Sequence, residues 1–88
     1  MKRTTTIKLC NDALNSCASL IARESSTEIS EYINKYNEWS VGIELLIDLL
    51  IEDQKKISEN QFQLIETAMS AMDLENSERV IHLRQCIE

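Results

Sequence analysis

The chain of 88 residues contains no proline, one glycine (Gly42), one histidine (His82) and one tryptophan (Trp39), and aromatic residues make up only 5% of it. Each shortage excludes something. With so little glycine and proline, the chain lacks the turn chemistry that a sandwich or barrel of many short strands requires. One histidine, without a glycine-rich phosphate loop or a nucleophile motif, offers too few convergent groups for catalysis, so the chain is not expected to be an enzyme. No apolar run approaches the ~20 residues that span a bilayer. Lys8, Asn11, Asp12 and Asn15 also interrupt the stretch after Met1 before it reaches the length of a signal peptide. Cys10, Cys17 and Cys86 are an odd number, which argues against a disulfide framework and for the reducing cytoplasm.

A zinc site of three cysteines and a histidine is available by count, and spacing removes it. Cys10 and Cys17 stand seven residues apart on one expected helix, roughly 10 Å along its axis. Zinc with bonds of ~2.3 Å cannot bridge that gap. His82 and Cys86 lie one turn apart, but two ligands do not make a site. The cysteines are read as small core residues, His82 as a partly exposed residue of the last helix, and no cofactor is expected.

What the chain does have is leucine, isoleucine, alanine, glutamate, glutamine and lysine, the makeup of short helices joined by polar turns. The expected class is all-α, a compact bundle of about five short helices in one domain spanning 1–88. A domain of this size buries only about 60–65% of the surface its unfolded chain exposes, so its margin of stability is thin. Ile7, Cys10, Leu14, Cys17 and Ile21 recur at spacings of three and four and predict a helix over about 5–23. The cluster Ser25, Ser26 and Thr27 is expected to break it and to cap a second helix carrying Ile29, Tyr32, Ile33 and Tyr36, with Asn37 at its end. A third helix follows Trp39 and Ser40, with Gly42 in its first turn. Ser58 and Gln61 have the capping-box spacing, with Ile57 and Phe62 at the staple positions, so a fourth helix starts at Ser58. A turn over 73–77 and a last helix capped by Asn76 or Ser77 complete the chain.

The third helix is apolar nearly all round, except where Glu44, Asp48 and Glu52 recur every four residues. At ~100° per residue these carboxylates fall within an arc of roughly 80°. Like charges at this spacing repel one another, and Glu52 with Asp53 lies where the helix dipole prefers cations. The net charge of −6 is segregated as well: residues 1–23 sum to +3, residues 24–53 to −7 and residues 54–88 to −2. A surface of that sign repels nucleic acid and anionic membranes and attracts basic proteins. A charged stripe is most often only the solvated face of a helix. Here its narrowness, its segregation and its opposition to the dipole point to a binding role. Tyr36 and Trp39, with Glu38 between them, read first as packing residues and second as anchors within a charged rim.

Trp39, the run from Gly42 to Leu50, the segment Ile57 to Glu59, Phe62 with Ile65, and the segment Ala71 to Leu74 together resemble the small helical immunity proteins of bacterial competition. The likeness is to the Maf-type immunity family and to immunity proteins of contact-dependent growth inhibition. It covers roughly residues 38–87 and departs from the pattern at Asp73, where the family is expected to have a glycine closing the helix. The resemblance implies a cytoplasmic protein that binds one cognate toxin C-terminal domain, one to one, and neutralises it. The implied toxin is a nuclease, including RNases of the EndoU type, met by occluding its basic site or a nearby exosite. The partner-binding residues expected on this reading are Glu44, Asp48, Glu52, Asp53, Glu38, Tyr36 and Trp39. Two other classes remain in view: a self-associating helical adaptor that forms a homodimer, and an acidic antitoxin-like regulator.

Overall fold

Glu44, Asp48 and Glu52 aside, the third helix has almost no polar side chain to turn to water, and the chain folds so as to cover it. A computed structural model describes residues 3–88. Among these residues there are five α-helices and no strand: α1 (Arg3–Cys17), α2 (Arg23–Asn34), α3 (Trp39–Glu52), α4 (Glu59–Ala71) and α5 (Glu78–Arg84), with a 3₁₀ turn over Ala18–Leu20. The fold is the all-α bundle expected. It measures 31 × 28 × 19 Å. α3 touches all four other helices, α2 lies chiefly on α3, and α1 lies chiefly on α4. Ile43, Leu46, Ile47 and Leu50 of α3 are sealed in the core with Ile29 and Ile33 of α2, Cys10, Ala13 and Cys17 of α1, Phe62, Ile65 and Met69 of α4, and Leu83 of α5.

The first two helices depart from the sequence reading. The stripe that runs on to Ile21 does not carry one helix to residue 23, because the chain leaves α-helical geometry after Cys17 and is extended at Ile21 and Ala22. Nor do Ser25, Ser26 and Thr27 break anything. They lie in the first turn and a half of α2, whose cap position is Ala22, without a side-chain hydrogen bond. Tertiary contacts account for the earlier break. The Ser16 carbonyl at the end of α1 accepts a 2.7 Å bond from Gln61 Nε2 of α4, and Ser16 Oγ donates to the Ala13 carbonyl at 2.8 Å. The Ser16 carbonyl, one of those left unpaired at the end of α1, thereby gains a partner without another helical turn.

Gln61 also completes the capping box. Its backbone N–H donates to Ser58 Oγ at 3.0 Å, and its Oε1 accepts from the Ser58 N–H at 2.8 Å. Ile57 and Phe62, on either side of the cap, are both buried. One side chain therefore starts α4 and ends α1. The chain beyond α5 is tied back to the same loop: the Ile57 N–H donates to the Cys86 carbonyl at 3.0 Å and the Glu88 N–H to the Ile57 carbonyl at 3.0 Å, an isolated parallel bridge between Ile57 and Ile87. On the surface, the side-chain amides of Asn11 and Asn34 bond reciprocally at 2.9 and 3.0 Å and join α1 to α2.

With one glycine in the chain, three helix ends are closed by other residues in the left-handed conformation: Asn37 (φ 54°), Gln54 (φ 51°) and Asp73 (φ 60°). Asp73 closes α4 with both bonds of a Schellman motif, Leu74 N–H to the Met69 carbonyl at 2.8 Å and Asp73 N–H to the Ser70 carbonyl at 3.0 Å. Gln54 closes α3 in the same way, through Lys55 to Leu50 at 2.9 Å and Gln54 to Ile51 at 3.1 Å. Gly42 is used for something else. A Cβ there would meet Ile33 Cγ1 and Tyr32 Cβ at 3.2 Å and the Ile29 carbonyl oxygen at 3.3 Å, so the missing side chain lets α2 approach α3.

Two substitutions should therefore shift stability in directions opposite to helix propensity. Gln54→Gly should stabilise by about 1 kcal/mol by relieving the left-handed side chain. Gly42→Ala should destabilise by about 1 kcal/mol, because overpacking against Tyr32 Cβ and the Ile29 carbonyl, which cannot rotate away, outweighs a propensity gain of about 1 kcal/mol. Urea titration of the two variants measures both changes.

Candidate functional site

α3 and α5 place an arginine on the acidic seam. Arg79, in the first turn of α5, donates from Nε to Asp48 Oδ1 at 2.9 Å, from Nη2 to Asp48 Oδ2 at 3.3 Å and from Nη1 to Glu44 Oε2 at 3.3 Å. The Asp48 hydrogen bond, and then its charge, hold the guanidinium above its ordinary pKa, with Glu44 adding less. Arg79 remains 43% exposed, against 28% for Glu44 and 40% for Asp48, so the cluster sits in high dielectric. An exposed pair of this kind is worth about 0–1 kcal/mol. Two of the three seam carboxylates thus have a cation within the chain, a partner that the sequence pattern alone did not reveal. Glu52 and Asp53, at the far end of α3, are exposed and pair with no cation among the described residues.

The arginine lies in a shallow groove of about 300 Å³ whose other lining includes Glu28 and Tyr32 of α2 and Val41, Glu44, Leu45 and Asp48 of α3. Two carboxylates hold the one guanidinium there, and Glu28 lines the same groove. A second and larger groove, about 640 Å³, opens at the start of α3 between Glu38, Trp39, Val41, Ala71, Met72 and Leu74. Val41, 42% exposed, belongs to both. The structure therefore brings Glu38 and Trp39 to one groove and Glu44 and Asp48 to its neighbour. Tyr36, 53% exposed, stands apart at the end of α2, its ring centroid 6.2 Å from that of Tyr32 and 5.5 Å from Lys35 Nζ.

Trp39 is half-buried, and its Nε1 is closed from solvent without a hydrogen-bond partner among the described residues. A buried donor left in that state costs about 1–3 kcal/mol. α3 also begins without a side-chain cap, because Glu38 occupies the cap position and does not bond back to the helix. Sequence reasoning missed Met72, Leu74 and Arg79 as parts of this surface. A cation in the first turn of α5, where the helix dipole disfavours it, was the one signal pointing to Arg79.

Among the described residues no group of three or more His, Cys, Asp or Glu side chains is placed to hold a metal, and no helix is long and apolar enough to cross a membrane. Cys10 and Cys17 are sealed in the core, and Cys86 is half-buried beside Lys55, Lys56 and His82. Burial pushes the Cys10 thiol up to about 11 and raises Cys17 too, the latter offset in part by its hydrogen bond with Ser16. The chain gives no significant match to any protein-family model, characterised protein or solved structure.

Raised thiol pKa values mean scarce thiolate near neutral pH, and burial blocks access to Cys10 and Cys17. A thiol-labelling time course at pH 8 should show one fast cysteine, Cys86, in the native protein and three after denaturation. Peptide mapping of the label identifies the fast site.

Proposed function

We propose that this protein is a binding protein for a basic protein partner, and specifically an immunity protein that captures a bacterial toxin domain, of nuclease type, one to one. The observation that carries the reading is the segregated charge. Glu28, Glu31, Glu38, Glu52 and Asp53 are exposed on α2 and α3 or beside them, and Glu44 and Asp48 are half-exposed on α3. A nuclease must present lysine and arginine to hold phosphates, and a surface of opposite sign steers such a protein into encounter. The resemblance of residues 38–87 to helical immunity proteins supplies the finer class, and the same surface disfavours nucleic acid and anionic membranes as direct partners. The cytoplasm of the toxin-producing cell is the location this role requires.

Arg79 changes how the charge should be tested. Lysine at Glu44 or Asp48 would strand Arg79 beside a like charge and disturb the α3 to α5 contact, whereas Glu52 and Asp53 can be reversed without breaking an internal pair. An immunity gene is expected beside that of its exported toxin, and the direct experiment co-expresses this protein with the C-terminal domain of such a neighbour. Growth should be rescued, the two should co-purify as a one-to-one complex, and association should slow as salt rises, since charges are screened within ~10 Å at 0.1 M. Neutralising Glu44→Gln with Asp48→Asn, or reversing Glu52→Lys with Asp53→Lys, should slow association. Absence of both rescue and complex would refute the reading, and a dimer of the free protein in sedimentation would then favour a self-associating module.

A further inference from the structure

We infer that the two grooves meeting at Val41 form one docking surface for a basic amphipathic segment of a partner protein. An apolar side chain of that segment fills the groove between Trp39, Met72 and Leu74, and a lysine or arginine takes over the carboxylates that Arg79 holds in the free protein. This inference rests on the reading of the protein as a binder of a basic partner and adds the chemistry and spacing of the bound segment.

Three observations carry it. The first is adjacency. Val41, itself 42% exposed, lines both a groove of about 640 Å³ with Trp39, Met72 and Leu74 in its wall and one of about 300 Å³ bearing Glu28, Glu44 and Asp48. Along α3 the step from Val41 to Glu44 is roughly 4.5 Å and to Asp48 roughly 10 Å, so a helical segment would bear its apolar and basic residues one to two turns apart.

The second is charge. Glu44 and Asp48 share a single guanidinium in the smaller groove, which Glu28 also lines, and Glu38 stands on the wall of the larger one, so a cationic segment is attracted and an anionic one repelled. Arg79 shows the geometry the carboxylates accept: a two-point contact with Asp48 at 2.9 and 3.3 Å and a third contact with Glu44 at 3.3 Å. Because Arg79 is 43% exposed, it can swing into solvent when a partner's cation arrives. It acts as a placeholder that keeps the acids apart from one another's charge and taxes cations too weak to displace it.

The third is the indole. Trp39 Nε1 has no acceptor among the described residues although it is closed from solvent. The last turn of a helical segment lying in the groove carries unbonded backbone carbonyls, and a small tilt of the ring would pair the donor with one of them. That gain exists only in the complex.

The test uses Trp39 as its own probe, since the chain has one tryptophan. Three short synthetic peptides without aromatic residues are titrated: a leucine and lysine amphipathic helix, the same helix with glutamate for lysine, and the same with serine for leucine. The leucine and lysine peptide should shift Trp39 emission to shorter wavelength and saturate, and the other two should not. Arg79→Gln should tighten that peptide by about threefold to tenfold and Val41→Lys should weaken it by about tenfold or more. Both positions are exposed, and far-UV circular dichroism confirms that the variants are folded. Equal binding of the glutamate peptide, indifference to both substitutions, or no binding by the leucine and lysine peptide would overturn the docking surface. Peptide binding that behaves as expected while co-expression fails to rescue would keep the surface and discard the toxin, whereas rescue without peptide binding would place the toxin on another face.

Discussion

The constraint behind this structure is the apolar circumference of α3. A helix with isoleucine and leucine on most of its turn has no stable place in water, and a chain of this length has just enough material to wrap it. The four other helices all touch it, and each contributes apolar side chains to the cluster around Ile43, Leu46, Ile47 and Leu50. Gly42 is part of the same demand, since it lets α2 come close enough to cover the first turns. What α3 leaves uncovered is Val41 and a narrow strip of acid, and α5 sets Arg79 against two of the carboxylates in that strip, Glu44 and Asp48.

Much of this was legible in the chain, and the parts that were not share a cause. The all-α class, the span of α3 and the start of α4 follow from local patterns: spacing of apolar residues, and a serine three residues before a glutamine. The end of α1 is not local. It depends on a glutamine 45 residues away reaching the Ser16 carbonyl, so the stripe ending in Ile21 misleads. The cluster Ser25 to Thr27 misleads for the opposite reason, because residues that favour caps are tolerated inside a helix when Ile29 and Ile33 have a core to enter. Asp73 is instructive in a third way. A glycine was the expected closure of that helix, and the aspartate makes the same two hydrogen bonds in the left-handed conformation.

The site was half legible. Glu38 and Trp39, and Glu44 and Asp48, could be singled out from order along the chain, and the structure gathers them into adjacent grooves. Their complement could not. Arg79 reaches α3 across 31 residues of sequence, and Met72 and Leu74 enter the groove through a turn whose path depends on Asp73. The presence of Arg79 also revises the physical meaning of the seam. A row of carboxylates kept bare would be a strained surface waiting for a partner. With Arg79 in place, the docking we propose is an exchange of one cation for another, and what such an exchange favours is a partner able to bring apolar contact along with charge.

The bridge between Ile57 and Ile87 has a bearing on how the domain is assembled. Its two hydrogen bonds close a ring of about thirty residues that contains the whole of α4 and α5. Such a closure carries an entropic penalty until the helices inside the ring are already packed, so it belongs at the end of folding rather than at its nucleus. Once made, it denies α5, a helix of only seven residues, the freedom to fray independently. The helix that carries Arg79, though not the side chain itself, is therefore anchored by this bridge, and the charge pattern of one face depends in part on a backbone latch that carries no charge at all.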